Sequence, residues 1–186
     1  MMAARLDAVW AAAVGGAAFA VYLRTLAPGL VAVFDTPMLQ FVGRVLGVPH
    51  NPGYPLYVLL TFPFSYLPIG TLAYRINLFS AIFAALTVSL AFLLARRLGC
   101  RRIVSAAAAL GMAFGHVFWS QAIIAEVYTL NSAIVAGTLL ALLIALHDAA
   151  LDFPDVGQVL VEAGLVARVQ LAAEAVHVDD TRHALQ

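Results

Sequence analysis

Along the chain, charged residues punctuate long apolar runs rather than alternating with apolar ones. Stretches without Asp, Glu, Lys or Arg run from Ala8 to Leu23, Val45 to Tyr74, Ile76 to Ala95, Ile103 to Ala125 and Val127 to Leu146. A helix needs about 20 mostly apolar residues to cross the hydrocarbon core, and with the apolar residues just past each flanking charge every run comes close to that length. The Val45–Tyr74 run differs from the rest. Seven of the eight prolines (Pro28, Pro37, Pro49, Pro52, Pro55, Pro63 and Pro68) fall between residues 28 and 68. Proline deletes an amide donor, and an unsatisfied backbone group in lipid costs several kcal/mol. This run therefore predicts a large loop over 28–72 with short interfacial helices, Thr36–Leu46 and Tyr54–Tyr66, in place of a lipid-exposed span. The remaining runs predict an all-α membrane protein with about four spans, near 6–26, 74–96, 102–122 and 126–147.

Composition supports this division. The chain is 63% hydrophobic and 11% charged, with a mean hydropathy of +0.96, whereas soluble domains carry about 25% charged residues. That excludes a soluble enzyme. Ten Arg balance ten acidic residues and there is no Lys, so no basic patch for nucleic acid exists. Arg96, Arg97, Arg101 and Arg102 share one short connection, which the positive-inside rule puts in the cytoplasm. The 28–72 loop then faces outward and both termini are cytoplasmic, in a multi-pass protein of a cell membrane, taken as a bacterial inner membrane. Ala18-Phe19-Ala20 resembles a signal-peptide cleavage site, but the apolar run continues to Leu26, which favours a retained anchor. Gly111 and Gly115 read as a small-xxx-small packing pair in the third span. These elements make residues 1–150 a membrane-embedded module. Residues 151–186 hold six of the ten acidic residues and read as a marginally helical cytoplasmic tail.

Chemistry must come from the few ionisable residues on the loop side, because a charge at a helix centre costs about 2.5 to 3.5 kcal/mol on insertion scales. Asp35, in Val33-Phe34-Asp35-Thr36-Pro37, reads two ways: as the N-cap of a short helix with proline in its first turn, or as a general base toward a hydroxyl. His50, Tyr54 and Tyr57 lie in Gly47-Val48-Pro49-His50-Asn51-Pro52-Gly53-Tyr54-Pro55-Leu56-Tyr57. That segment is either a rigid interfacial turn or a set of donors around a phosphate or sugar. Glu126 is either a solvated turn residue or, if the chain bends nearer Gly115 or Asn131, a partly buried carboxylate that needs a partner such as Arg75. There is no metal-ligand cluster, no phosphate-binding glycine loop and no nucleophile in a triad context. A small transporter would show inverted repeats, and none is visible.

Taken in order, Tyr22-Leu23-Arg24-Thr25-Leu26-Ala27-Pro28-Gly29, Asp35-Thr36, Leu46 to Tyr57, Ala73-Tyr74-Arg75-Ile76-Asn77-Leu78-Phe79-Ser80-Ala81 and Ala125-Glu126-Val127-Tyr128-Thr129-Leu130-Asn131 resemble the N-terminal region of the protein O-mannosyltransferase-like multispan family, over about residues 20–148. The resemblance implies a GT-C glycosyltransferase fold, with an acidic catalytic residue in the first outer loop and a polyprenyl-phosphate sugar as donor. Asp35 corresponds to that acidic residue, and His50 through Pro55 to the family's His-Pro-Pro-Gly-Tyr-Pro turn. His50, Tyr54, Tyr57, Arg75 and Glu126 become the expected substrate-binding residues, with His50, Tyr54 and Arg75 on the phosphate. The expected partners are membrane lipid, the lipid-linked donor and a hydroxyl acceptor such as a protein. Where the family reads Asp-Ser-Gly-Glu-Phe, this chain has Asp35-Thr36-Pro37-Met38-Leu39. The lost carboxylate argues against a divalent metal, and no cofactor is expected. A second reading, a truncated and non-catalytic membrane scaffold, is favoured by the same loss and by the short length.

Overall fold

The computed structural model describes residues 2–152, and within them every regular element is helical. In chain order these are α1 (Met2–Thr25), α2 (Thr36–Val42) with a 3-10 turn (Gly43–Val45), α3 (Pro55–Phe64), α4 (Leu72–Arg97), α5 (Arg102–Ala113), α6 (His116–Ala122) and α7 (Tyr128–Asp152). Three helices, α1, α4 and α7, are long and apolar enough to cross a membrane, and the bent pair α5–α6 makes up to four. The expected loop over 28–72 holds two short helices, as its prolines require. Pro37 and Pro55 each sit in a first turn, where the missing amide has no intrahelical partner to lose. The expected tail from residue 153 onward lies outside the described residues.

Helix α4 is the axis of the bundle. It contacts α1, α2, α3, α5, α6 and α7, so it buries side chains on several faces, among them Ile76, Phe79, Ala81, Ala84, Val88 and Phe92. With α1 it approaches closely at Gly15, where an added Cβ would lie 2.0 Å from Ser89 Oγ and 2.9 Å from the Ala85 carbonyl oxygen. The close-packing glycine is therefore in α1. Gly111, expected to pack closely, meets nothing within 4 Å.

The third expected span is broken. Helix α5 stops at Ala113 and α6 leaves it at 68°. Twelve residues rise only ~18 Å, well short of the ~30 Å hydrocarbon core, so α5 does not cross by itself. Gly115, with an extended ψ of 133°, forms the break. A break at this depth exposes carbonyls that lipid cannot satisfy. The buried Tyr22 hydroxyl donates to the Ala113 carbonyl at 2.9 Å and relieves one of them. At its far end α6 returns to α1: Trp119 Nε1 donates to Thr25 Oγ1 at 3.0 Å, and the Ala27 amide donates to the Ile123 carbonyl at 3.1 Å.

The two ends of the bundle differ in kind. At the arginine end, Asp7 accepts from Arg102 Nε at 2.6 Å and Arg96 Nε at 3.2 Å, while Arg96 also donates to the Cys100 carbonyl. At the loop end the ties are amide and hydroxyl bonds. Gln40 donates to Asn77 Oδ1 at 2.9 Å and accepts from the Val31 amide at 3.1 Å, and Asn77 Nδ2 donates to the Ala27 carbonyl at 2.8 Å. Buried amides in low dielectric hold position only when fully paired. This pair fixes the 27–31 segment over α2 and α4, and so sets where residue 35 stands.

Candidate functional site

Asp35 occupies the N-cap position of α2, and its backbone carbonyl accepts the Met38 and Leu39 amides. Its side chain makes no capping bond. The carboxylate turns away instead: Oδ2 lies 2.7 Å from His50 Nε2, with the two side chains 53% and 45% exposed. The preceding residue, Phe34, has φ of +50° and is 86% exposed. A phenylalanine in the left-handed region marks local strain. The capping alternative therefore holds for the backbone and fails for the side chain.

His50 reaches Asp35 through the turn the prolines and glycine build. The Gly53 amide donates to the His50 carbonyl at 2.9 Å, Gly53 and Tyr54 are both left-handed, and Pro55 then opens α3. His50 Nδ1 lies 2.7 Å from the Asn51 carbonyl oxygen. A carbonyl and a carboxylate are both acceptors, so both ring nitrogens must donate, which is the imidazolium form. The Asn51 carbonyl first, and the Asp35 carboxylate second, push the His50 pKa above its ordinary value. The Tyr54 ring meets the imidazole edge-on at 5.8 Å.

Glu126 is 4% exposed, in the short connection before α7. The Thr36 hydroxyl donates to its Oε1 at 2.8 Å, and Ser80 holds its backbone, accepting from the Glu126 amide at 3.2 Å and donating to its carbonyl at 3.3 Å. Burial pushes its pKa up, the neighbouring Asp35 charge adds to that, and the Thr36 bond opposes it. The expected partner Arg75 is engaged elsewhere. Its guanidinium donates to the Ile69, Ser65 and Gly70 carbonyls at 2.7, 2.8 and 3.1 Å and shapes the turn before α4.

Asp35 and Glu126 line one cleft of about 680 Å³ together with Phe34, Val117, Phe118, Gln121, Tyr128, Thr129 and Ser132. Turning α6 aside at Gly115 supplies three of these residues, in keeping with the rule that irregular backbone at membrane depth borders protein or a cavity. Tyr54 and Tyr57 border a second, apolar cleft of about 370 Å³ with Pro55, Leu56, Val127, Leu130, Asn131 and Ile134, and Tyr128 lies on both. Tyr57 is itself 2% exposed and stacks edge-on with Phe79. Burial raises its pKa, with a smaller push from the Glu126 charge, so it stays a neutral phenol. Of the six expected site residues, then, Asp35, His50 and Glu126 converge, the two tyrosines adjoin them, and Arg75 stands apart. Among the described residues no three of His, Cys, Asp and Glu come together as a metal site would require. Thr36, Ser80 and Thr129 stood in the quoted motifs without being named as site residues, and Gln121 was not named at all. Their signal was a polar side chain inside an otherwise apolar run.

Comparison with known proteins follows the same residues. The family described as the protein O-mannosyl-transferase TMEM260 N-terminal domain matches over residues 35–161. A mouse protein O-mannosyl-transferase TMEM260 is 37% identical over 116 residues, covering 62% of this chain and 16% of the relative. The chain thus spans about a sixth of that curated relative's length. No solved structure matches.

Proposed function

The chain belongs to the protein O-mannosyl-transferase TMEM260 N-terminal domain family, and from that premise we propose that it is part of a membrane-embedded, GT-C-like sugar transferase. It would move a sugar, mannose in the name of its relative, from a polyprenyl-phosphate donor to a hydroxyl on an acceptor such as a protein. The observation that carries the reading is the Asp35 carboxylate, held by His50 and facing a cleft also lined by Glu126. In this reading Asp35 takes the acceptor's proton as the hydroxyl oxygen attacks the anomeric carbon. The bond from that carbon to the phosphate oxygen breaks, the electron pair stays on the phosphate, and the configuration inverts. Lipid phosphate leaves as a stable anion, so a single base suffices. His50 is a positioning residue, because both its nitrogens already serve the chain. Tyr54 supports the imidazole, and Arg75 supports the 65–70 turn. The arginine end faces the cytoplasm of a bacterial inner membrane, and the cleft opens on the other side.

The test is transfer from polyprenyl-phosphate mannose by the full chain in nanodiscs. Asp35→Asn keeps an oxygen for His50 Nε2 and loses the proton acceptor, so the transfer rate should fall roughly 10² to 10⁴-fold. Its melting temperature should change little, since no side-chain cap is lost and the His50–Asp35 pair it weakens is about half exposed. Full transfer by the Asn variant removes Asp35 as the base. No transfer by the unmodified chain favours the non-catalytic scaffold.

A further inference from the structure

The arginine end of the bundle holds more positive charge than the residues around it balance. One carboxylate oxygen, Asp7 Oδ1, answers two guanidiniums, accepting from Arg102 Nε at 2.6 Å and from Arg96 Nε at 3.2 Å. Arg96 gives one further donor to the Cys100 carbonyl. A guanidinium has five N–H donors in a fixed fork. Both Nη groups of Arg102 and the second Nη of Arg96 therefore have no acceptor among the described residues. The two side chains are only 22% and 30% exposed, Arg96 and Arg102 in that order, so an excess cation stands largely withdrawn from water. Such a charge calls for a counter-charge with more than one acceptor.

Depth narrows the class of ligand. Arg96 and Arg97 close the last turn of α4 and Arg102 opens α5, just where the charge-free run of α4 ends at Ala95. About one turn inward Trp10 stacks on Phe92, ring centroids 6.4 Å apart, and tryptophan is enriched at the membrane–water boundary. Arg97 is exposed and bonds nothing among the described residues, as is Arg5 on α1. Arg101 has contacts of its own and is not counted. Next to these cations in the chain, Leu6, Val9, Ile103 and Val104 are exposed apolar side chains. The acid at the end of α7, Asp148, belongs to a helix that packs mainly on α4, whereas α1 and α5 pack on α4 and on each other. A free anion in water would meet only the charge. A phospholipid meets both, with phosphate oxygens on the guanidinium fork and acyl chains on the apolar side chains.

We propose that Arg96, Arg97 and Arg102 form a binding site for the headgroup phosphate of an anionic phospholipid, in the leaflet that the arginine end faces. Asp7 is the positioning residue: by taking both Nε atoms it turns the Nη groups of Arg96 and Arg102 toward the surface. Three guanidiniums outweigh one carboxylate, so a headgroup with a net negative charge is held better than a zwitterionic one, whose own cation cancels its phosphate. The site lies at the opposite end of the bundle from the Asp35 cleft and does not depend on the transferase reading.

The test gives the full chain, in detergent, equal amounts of phosphatidylglycerol and phosphatidylcholine with the same acyl chains, and reads the retained lipid by native mass spectrometry. The unmodified chain should retain phosphatidylglycerol in preference. An arginine near an anionic lipid surface changes affinity about fivefold, so Arg97→Gln and Arg102→Gln should each reduce the preference by about that factor. Arg102→Lys keeps the charge and loses the planar fork, so it should recover only part of the loss. Arg44→Gln, in the 3-10 turn of the loop, should leave the preference unchanged. Equal retention of the two lipids by the unmodified chain overturns the proposal. So does a preference that survives Arg97→Gln and Arg102→Gln together, or one that Arg44→Gln abolishes. Full recovery by Arg102→Lys would mean diffuse attraction in place of a site, and displacement of the lipid by inorganic phosphate would mean a bare anion site; either result overturns the lipid assignment. If Arg102→Gln fails to fold because Asp7 loses a partner, Arg97→Gln still decides, since Arg97 bonds nothing in the described residues.

Discussion

Both nitrogens of His50 point at oxygens that can only accept, and this one fact orders the chemistry around Asp35. The imidazole should titrate above its ordinary value near 6.5. The pairing is fully present below that ordinary value and is lost as pH rises through the raised one. Proton-detected titration of the histidines should show His50 raised. In Asp35→Asn its pKa should fall only partway back, because the Asn51 carbonyl is the larger cause. A His50 that titrates at or below 6.5 in the unmodified chain would mean the ring does not bridge the two oxygens. At this scale the sequence singled out candidate residues more readily than it showed which of them meet. Asp35 and His50 each stood out, but their contact depends on left-handed Gly53 and Tyr54, and nothing at 54 announces a left-handed tyrosine. Glu126 misled for a physical reason. A buried carboxylate is expected to find a cation, yet a raised pKa and the Thr36 hydroxyl satisfy it without one.

The helices were legible wherever charge and proline marked them. Charge-free runs located α1, α4 and α7 to within a few residues, and the proline count turned 28–72 into a loop. The break at Gly115 was not legible, because hydropathy averaged over a span is blind to a single bend. Gly111 and Gly115 carry the spacing of a packing motif, but the tight helix contact is made by Gly15. That difference can be measured. Gly15→Ala drives a methyl into Ser89 and the Ala85 carbonyl, and overpacking of this kind costs about 1 to 3 kcal/mol. Gly16→Ala meets nothing within 4 Å and should be neutral or slightly stabilising. Adding Ser89→Ala to Gly15→Ala should recover part of the loss, since the carbonyl 2.9 Å away remains. Unfolding of the three variants beside the unmodified chain in one detergent measures all three statements, and equal stability of Gly15→Ala and Gly16→Ala would refute the close α1–α4 approach.

At the scale of the described residues as a whole, Asp7 pairs with Arg96 and Arg102 at one end, while the buried amides and the carboxylate cleft sit at the other. The arginine cluster pointed to this polarity from sequence, but the path by which the chain returns from α5 to α7 required coordinates. If α5 and α6 together complete a crossing, Val48 and Tyr128 share a side and Cys100 lies opposite. Val48 is 89% exposed and Tyr128 59%, so both suit replacement by cysteine, whereas Thr61 is fully buried and Gly70 would press a side chain into Tyr74. Val48→Cys and Tyr128→Cys, each in a Cys100→Ala background, should react with a membrane-impermeant thiol reagent added outside. Native Cys100 should react only after permeabilisation. A Tyr128 cysteine that reacts with Cys100's side instead would make α5–α6 a re-entrant pair. The hydrogen bonds from Trp119 to Thr25 and from Ala27 to Ile123 argue against that outcome, because they hold the end of α6 against the end of α1. Those bonds put the end of α6 at the end of the bundle where the cleft lies.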